Sequence, residues 1–274
     1  MSLFMEMFSY SFMQRALIAG LFVGISCPVI GVFLILRRMP FLGNTIGHVA
    51  FTGVAFGLLI GANPLGMALV AACLTGIGIE RLGKMYATFA ELSTALVLAL
   101  ALSLGIVFIG LGKGFGVNVM GYLFGSILTV SSVELWFIAG LALISLAFVL
   151  LFYRPLFAIA FHEESARVLG IRVDLLNLSL NVIVALVTAA ALRIVGVFLV
   201  SALLILPAAA AIKVATSFRQ ALILSALFGL VSVFGGLVFS YVFNLAAGGA
   251  IGIVAGLVLI VALVFSANRK VGNS

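Results

Sequence analysis

The sequence predicts an all-α fold: a polytopic helical membrane protein of eight to nine transmembrane helices, with one short helix on the cytoplasmic side. Three observations lead there. The 274-residue chain is 65% hydrophobic and only 8% charged, whereas a water-soluble domain carries about 25% charged residues. Apolar runs such as LIAGLFVGISCPVIGVFLIL and IGIVAGLVLIVALVFSA reach the roughly 20 residues that a helix needs to cross hydrocarbon. The alternation of apolar and polar residues that marks a membrane-spanning β-strand is absent.

In chain order, spans are predicted near 14–36, 41–61, 65–80, 91–112, 129–152, 175–192, 194–212, 220–243 and 248–267. Turn-like GANPLG (61–66) and NLAAGG (244–249) join two of the pairs. Glu80 and Glu91 read as interfacial helix ends, and Glu134 with Trp136 as the polar and aromatic edge of the fifth span. Pro28 and Pro207 fall inside helices and are expected to bend them. Only Arg193 divides the sixth span from the seventh, which leaves the count at eight or nine. With no repeat and no low-complexity tract, residues 1–274 form a single transmembrane domain with a polar loop at 153–174.

On the nine-span reading, one side of the membrane receives Arg37, Arg38, Arg81, Lys84, Arg154, Arg167, Arg172, Lys213, Arg219, Arg269 and Lys270. The other receives Arg15, Lys113 and Arg193. Eleven basic residues against three is a positive-inside bias, and it places the C-terminus in the cytoplasm. The net charge of +7 is therefore a topology signal, and no nucleic-acid partner is expected. The N-terminus MSLFMEMFSYSF has no basic region before its apolar stretch, so no cleavable signal peptide is expected. Cys27 and Cys73 fall within apolar spans and read as small buried side chains. GLGKGFG (110–116) lacks the phosphate-binding spacing G-x-x-x-x-G-K-[ST], so any ATP must be bound by another chain.

The loop YRPLFAIAFHEESARVLGIRVD (153–174) is the densest polar cluster, holding His162, Glu163, Glu164, Arg167, Arg172 and Asp174. HEESARVLG has acids first, arginine later and a glycine after, the pattern of a short helix stopped at Gly170. Glu163 and Arg167 stand at the i, i+4 spacing of an ion pair. The loop reads either as a solvated connection or as a rigid element presented to a cytosolic partner.

NTIGHVAFTGVAFGLLIG (44–61) is apolar enough to span the membrane yet carries an asparagine and a histidine. At about 100° per residue, Asn44, Thr45, His48 and Thr52 fall within an arc of about 100°. Gly53, Gly57 and Gly61 fall on another face at the i, i+4, i+8 spacing that lets a neighbouring helix pack closely. Polar groups facing lipid would remain unsatisfied, so the arc faces either other helices or a water-filled path. Imidazole is a common ligand for first-row transition metals, which makes His48 the candidate ion contact.

At these residues the chain resembles the permease subunits of ATP-binding-cassette importers for transition metals, the zinc, manganese and iron family. Four stretches carry the likeness: NTIGHVAFTGVAFGLLIG, MGYLFGSILTVS (120–131), FHEESARVLGIRV (161–173) and IVGVFLVSALLILPAAAA (194–211). The resemblance implies a multi-pass protein of the inner or plasma membrane that forms a homodimer around a translocation path. It implies two copies of a cytosolic ATPase as partner and an extracytoplasmic metal-binding protein that delivers the ion. No permanently bound cofactor is implied, only a transported divalent ion, zinc, manganese or iron. The loop with His162, Glu163, Glu164, Arg167 and Gly170 corresponds to the family's coupling helix, which docks on the ATPase. The family's intramembrane metal motif, Asp-x-x-x-His, is matched at His48, while Asn44 stands where the aspartate is usual. That exchange removes a negative charge from a low-dielectric site, where unpaired ions are penalised.

Two nearby readings compete with metal import. A siderophore or cobalamin permease would keep the machine and change the cargo, but such permeases tend to be longer. An ion-gradient-driven transporter would need charged groups near mid-membrane, and Arg193 is the sole candidate. An intramembrane metalloprotease wants H-E-x-x-H, and FHEESA has alanine at 166 in place of the second histidine.

Overall fold

The computed structural model describes residues 10–85, 90–112, 117–125 and 131–271. Lys113, the first nine residues and positions 126–130 of the stretch MGYLFGSILTVS lie outside them. Twelve helices follow in order: α1 (Ser11–Leu36), α2 (Phe41–Ile60), α3 (Pro64–Met85), α4 (Ala90–Leu111), α5 (Val117–Phe124), α6 (Ser132–Leu151), α7 (Tyr153–Phe161), α8 (Glu163–Val168), α9 (Val173–Val195), α10 (Val197–Val214), α11 (Phe218–Phe243) and α12 (Ala247–Val271). No strand occurs among the described residues. Among the described residues nine helices, all but α5, α7 and α8, are long and apolar enough to cross a membrane. Arg193 therefore ends one span before another begins. Gly196, at φ 82°, turns the chain from α9 into α10.

α1 and α9 sit at the centre, with 72% of their apolar windows buried, against 22% for α3, α4 and α12. The outer helices turn large apolar side chains outward, such as Leu96, Leu100 and Ile106 on α4 and Ile253, Leu257 and Ile260 on α12. In lipid there is no water to drive such side chains inward, so helices associate through close packing. Small residues make that possible. Gly24 of α1 and Gly229 of α11 bring their backbones into contact, and Gly31 lies against the Leu204 carbonyl of α10.

The glycine strip of α2 packs in part as its spacing predicts. A Cβ on Gly53 would lie 2.6 Å from the Met67 carbonyl oxygen, and one on Gly57 would lie 3.1 Å from the Pro64 Cα, both on α3. Gly61 departs from this. It caps the helix at φ 70° with open space beside it. Its role is the left-handed turn that ends α2, a conformation glycine adopts without steric cost.

Two short helices were not legible as such. α5 lies between the fourth and fifth spans, and α7 occupies the first half of the loop 153–174. Pro28 and Pro207 lie within α1 and α10. Trp136, 77% exposed near the start of α6, sits where an interfacial aromatic is expected. Ser131 and Glu134 close a capping box at the same end, with Glu134 Oε2 accepting from the Ser131 N–H at 2.8 Å. The Glu134 carboxylate also pairs with Arg193 at 3.1 Å, and the guanidinium stands 4.7 Å from the centre of the Tyr122 ring. Arg193 thus clamps α9 to α5 and α6, which removes the sole candidate for a mid-membrane coupling charge.

Gly53→Val should lower stability by about 1–3 kcal/mol, the usual cost of overpacking, while Gly78→Ala, which meets open space on α3, should not. Thermal unfolding of both variants in detergent checks this. Equal melting temperatures would show that α2 and α3 do not pack through Gly53.

Candidate functional site

The polar arc of α2 divides in two. Thr45 is 1% exposed, and its hydroxyl donates to the Thr94 carbonyl of α4 at 3.3 Å. Thr52 donates to the Ala101 carbonyl at 2.7 Å and to the His48 carbonyl at 3.0 Å. Thr45 and Thr52 are seven residues apart, and so are their acceptors Thr94 and Ala101. A seven-residue step is two helical turns, so α2 and α4 run parallel in one register, joined by hydroxyl-to-carbonyl bonds. Gly105, whose Cβ would lie 3.1 Å from the Thr52 Oγ1, completes the seam. Within this chain Thr45 is an interhelical tie, one of the two surroundings expected for the polar arc.

His48 faces elsewhere. Its side chain borders a half-open cavity of about 420 Å³ lined by residues of α2, α4, α5 and the start of α10, several of which, such as Ile106 and Phe198, are exposed. The walls are Phe51, Leu102, Ile106, Ile109, Met120 and Leu123 among others, so the lining is almost wholly apolar, with His48 and Thr52 its polar residues. Among the described residues no hydrogen bond is made by the imidazole. Its ring instead meets Phe198 edge-on at 6.0 Å, and Phe198 in turn meets Phe124 at 5.6 Å. Asn44 is half-buried one turn earlier on α2 and does not line this cavity. Both cysteines lie outside it as well, and among the described residues no group of three or more His, Cys, Asp or Glu side chains gathers to hold an ion.

The predicted helix of the loop 153–174 is α8. His162, extended at φ −148°, breaks it from α7. At the other end, the Gly170 N–H donates to the Arg167 carbonyl and the Ile171 N–H to the Ala166 carbonyl, with Gly170 at φ 79°. This is a Schellman stop, in which glycine takes the left-handed position. Ala166, 1% exposed, anchors α8 on Ile159, Val173 and Leu176. Arg167 bonds Glu163 at 3.2 Å and Asp174 at 3.1 Å, and the two carboxylates hold its guanidinium more firmly protonated than usual, the Glu163 hydrogen bond contributing most. Glu164 and His162 are exposed. The charged residues thus brace the helix, while Val168 and Leu169, 89% and 75% exposed, form an apolar tip. Charge density drew the reading toward the polar residues; two apolar positions before a glycine stop were the signal it passed over.

Beneath α8, the turn between α1 and α2 carries Arg37. Burial draws its guanidinium below the ordinary arginine range, while the carboxylates of Glu80 and Glu163 act in the opposite direction. Glu80 also accepts from the buried Asn181 amide of α9 at 2.9 Å. The Asn181–Glu80 hydrogen bond thus ties α9 to α3.

Nine candidate spans among the described residues, packed around a small-residue core with a short helix braced at one end and a mostly apolar pocket at the His48 helix, define a polytopic helical membrane protein. The comparisons narrow this. The profile of the ABC 3 transport family matches residues 9–266, and the chain belongs to that family. It is 36% identical over 268 residues to the manganese transport system membrane protein MntC of Halalkalibacterium halodurans, covering 98% of this chain and 92% of that one. It is 28% identical over 261 residues to the manganese import system permease protein ScaB of Streptococcus pneumoniae, covering 95% of this chain and 93% of that one. Among solved structures, PsaBC from Streptococcus pneumoniae in complex with Fab matches with a TM-score of 0.86 and 30% identity, over 95% of this chain and 94% of that chain.

Thr52→Val should cost about 0.6–1.7 kcal/mol of stability, the range for interhelical hydrogen bonds in membranes. Unfolding of the detergent-solubilised protein in denaturant checks it, and no change at all would deny the seam between α2 and α4.

Proposed function

We propose that the chain is the permease subunit of an ATP-driven importer of divalent transition metals, with manganese as the first cargo to test. The observation that carries the reading is the imidazole of His48, without a hydrogen bond to a described residue, on the wall of a cavity whose other polar residue, Thr52, has its hydroxyl bonded to backbone carbonyls. A polar group in such a place is costly unless it has a partner, and a transported cation is a partner that comes and goes. The manganese named in the relatives MntC and ScaB supports the cargo. So does a donor set of imidazole and oxygen without thiolate, since soft thiolates favour zinc and copper.

In this reading two copies of the chain face each other across the path, each offering His48 and Asn44. The i, i+4 spacing lets both side chains of one copy reach a single ion. With a neutral amide at 44 the site holds the ion less tightly than a carboxylate would, which favours release to the cytoplasm. An extracytoplasmic metal-binding protein supplies the ion. Two cytosolic ATPase subunits bind ATP and receive α8, whose apolar tip at Val168 and Leu169 enters a groove on the ATPase while Glu163, Arg167 and Gly170 keep its shape. The C-terminus lies in the cytoplasm, as the positive-inside bias requires.

Cellular metal content, measured by elemental mass spectrometry in a deletion strain complemented with each variant, tests the reading. His48→Ala, inserted at normal levels, should leave cell manganese as low as in the deletion strain. Manganese restored to the wild-type level by His48→Ala would place the path elsewhere.

A further inference from the structure

At the cytoplasmic end of the bundle one side chain gathers more aromatic partners than any other described. Phe218, the first residue of α11, has ring centres at 5.5 Å from Tyr153, 5.0 Å from Phe157, 6.2 Å from Phe161 and 5.5 Å from Phe33. All four separations fall in the range of about 4.5–7 Å at which aromatic pairs attract. The first three partners stand at i, i+4 and i+8 on α7, so one entire face of that helix rests on Phe218. The fourth belongs to α1, where Phe33 is fully buried in the central core.

The placement of α7 gives this contact its meaning. α7 ends at Phe161, and after the single extended residue His162 the chain enters α8. Displacement of α8 therefore reaches the membrane bundle by two routes, at α9 through Ala166 and the Arg167–Asp174 pair, and through the aromatic face of α7. Phe218 cannot yield alone, because the start of α11 is held. The Ser217 hydroxyl accepts the Gln220 N–H at 3.3 Å, and the Thr216 hydroxyl and N–H donate to Gln220 Oε1 at 2.7 and 2.8 Å. α11 then runs 26 residues to the opposite side, packed on α1, α10 and α12. α10 carries Phe198, which covers His48.

We propose that Phe218 is a positioning residue for transport: the joint through which motion of α8 is passed to α1 and α11, and so to the cavity at His48. The proposal rests on the reading that α8 docks on the ATPase. It needs Phe218 as a large, stiff ring, and no other group on α11 meets α7 in a ring contact among the described residues.

The test uses the complete complex of permease and ATPase, reconstituted in liposomes, with manganese uptake and ATP hydrolysis measured on the same vesicles. Phe218→Ala should keep the ATPase bound and hydrolysing, while manganese transported per ATP falls by about tenfold, the scale of a coupling between distant sites. Phe218→Tyr, which keeps the ring, should restore the ratio. A ratio unchanged in Phe218→Ala overturns the proposal, and so does a parallel loss of uptake and hydrolysis at constant ratio. Should Phe218→Ala fail to insert, Phe157→Ala removes the closest partner ring at the half-exposed edge of the cluster. It must lower the ratio too, and a wild-type value overturns the joint. Leu169→Asp separates the two readings. If the ATPase stays bound to that variant, the docking of α8 fails; if it is released while Phe218→Ala transports normally, the joint alone fails.

Discussion

Hydrocarbon offers no hydrogen bonds, so every polar group within a span must find its partner inside the protein. Most of this fold can be read as the working out of that constraint. Buried serines return their hydroxyls to their own helices, as Ser26 does to Phe22 and Ser145 to Leu141. Thr45 and Thr52 spend theirs on α4 and thereby set its register against α2. Glu134 and Arg193 neutralise each other where α6 and α9 end. Against that background His48 is conspicuous, because its ring borders a cavity and makes no such bond to a described residue. Among the described residues the buried Asn181 Oδ1 and Thr188 Oγ1 also lack a hydrogen-bond partner, and His48 differs from them in bordering the pocket.

Close approach and polar satisfaction together decide which parts are rigid. Where glycine lets backbones touch, as between α1 and α11 at Gly24 and Gly229, the helices cannot slide without separating. The end that carries α7 and α8 is built differently. There α7 and α8 meet the bundle through aromatic rings on Phe218 and through Ala166 and Arg167, which contact Val173, Leu176 and Asp174 of α9. A rigid core with a distinct lever at one end suits a protein that takes its energy from a separate chain.

Much of this was legible in the sequence, and what was not has a common cause. Apolar length marks a span, so the nine helices could be placed within a few residues, and the acid-to-glycine order of HEESARVLG was enough to place α8 and its stop at Gly170. Periodicity also separated the polar and glycine faces of α2. It could not say what each face would meet. Thr45 shares the arc of His48 yet turns to a carbonyl 49 residues away, and Gly61 continues the spacing of Gly53 and Gly57 but falls where the helix has already ended. The Glu134–Arg193 pair, the Phe218 cluster and the cover that Phe198 lays over His48 join residues far apart in sequence. One-dimensional patterns carry no signal for such meetings. α5 is too short for its apolar residues to declare a period.

The substitution of asparagine at 44 changes the electrostatics of the site more than its shape, since an i, i+4 pair still faces one way. In the function proposed above, the imidazole arrests the ion and movement of the surrounding helices lets it go. The most direct measurement is a manganese-edge anomalous difference map from crystals of the permease–ATPase complex grown with manganese. The account predicts a peak within bonding distance of the His48 ring at the edge of the α2–α4–α5–α10 cavity. A peak elsewhere in the bundle, with the His48 ring free of it, would contradict the account.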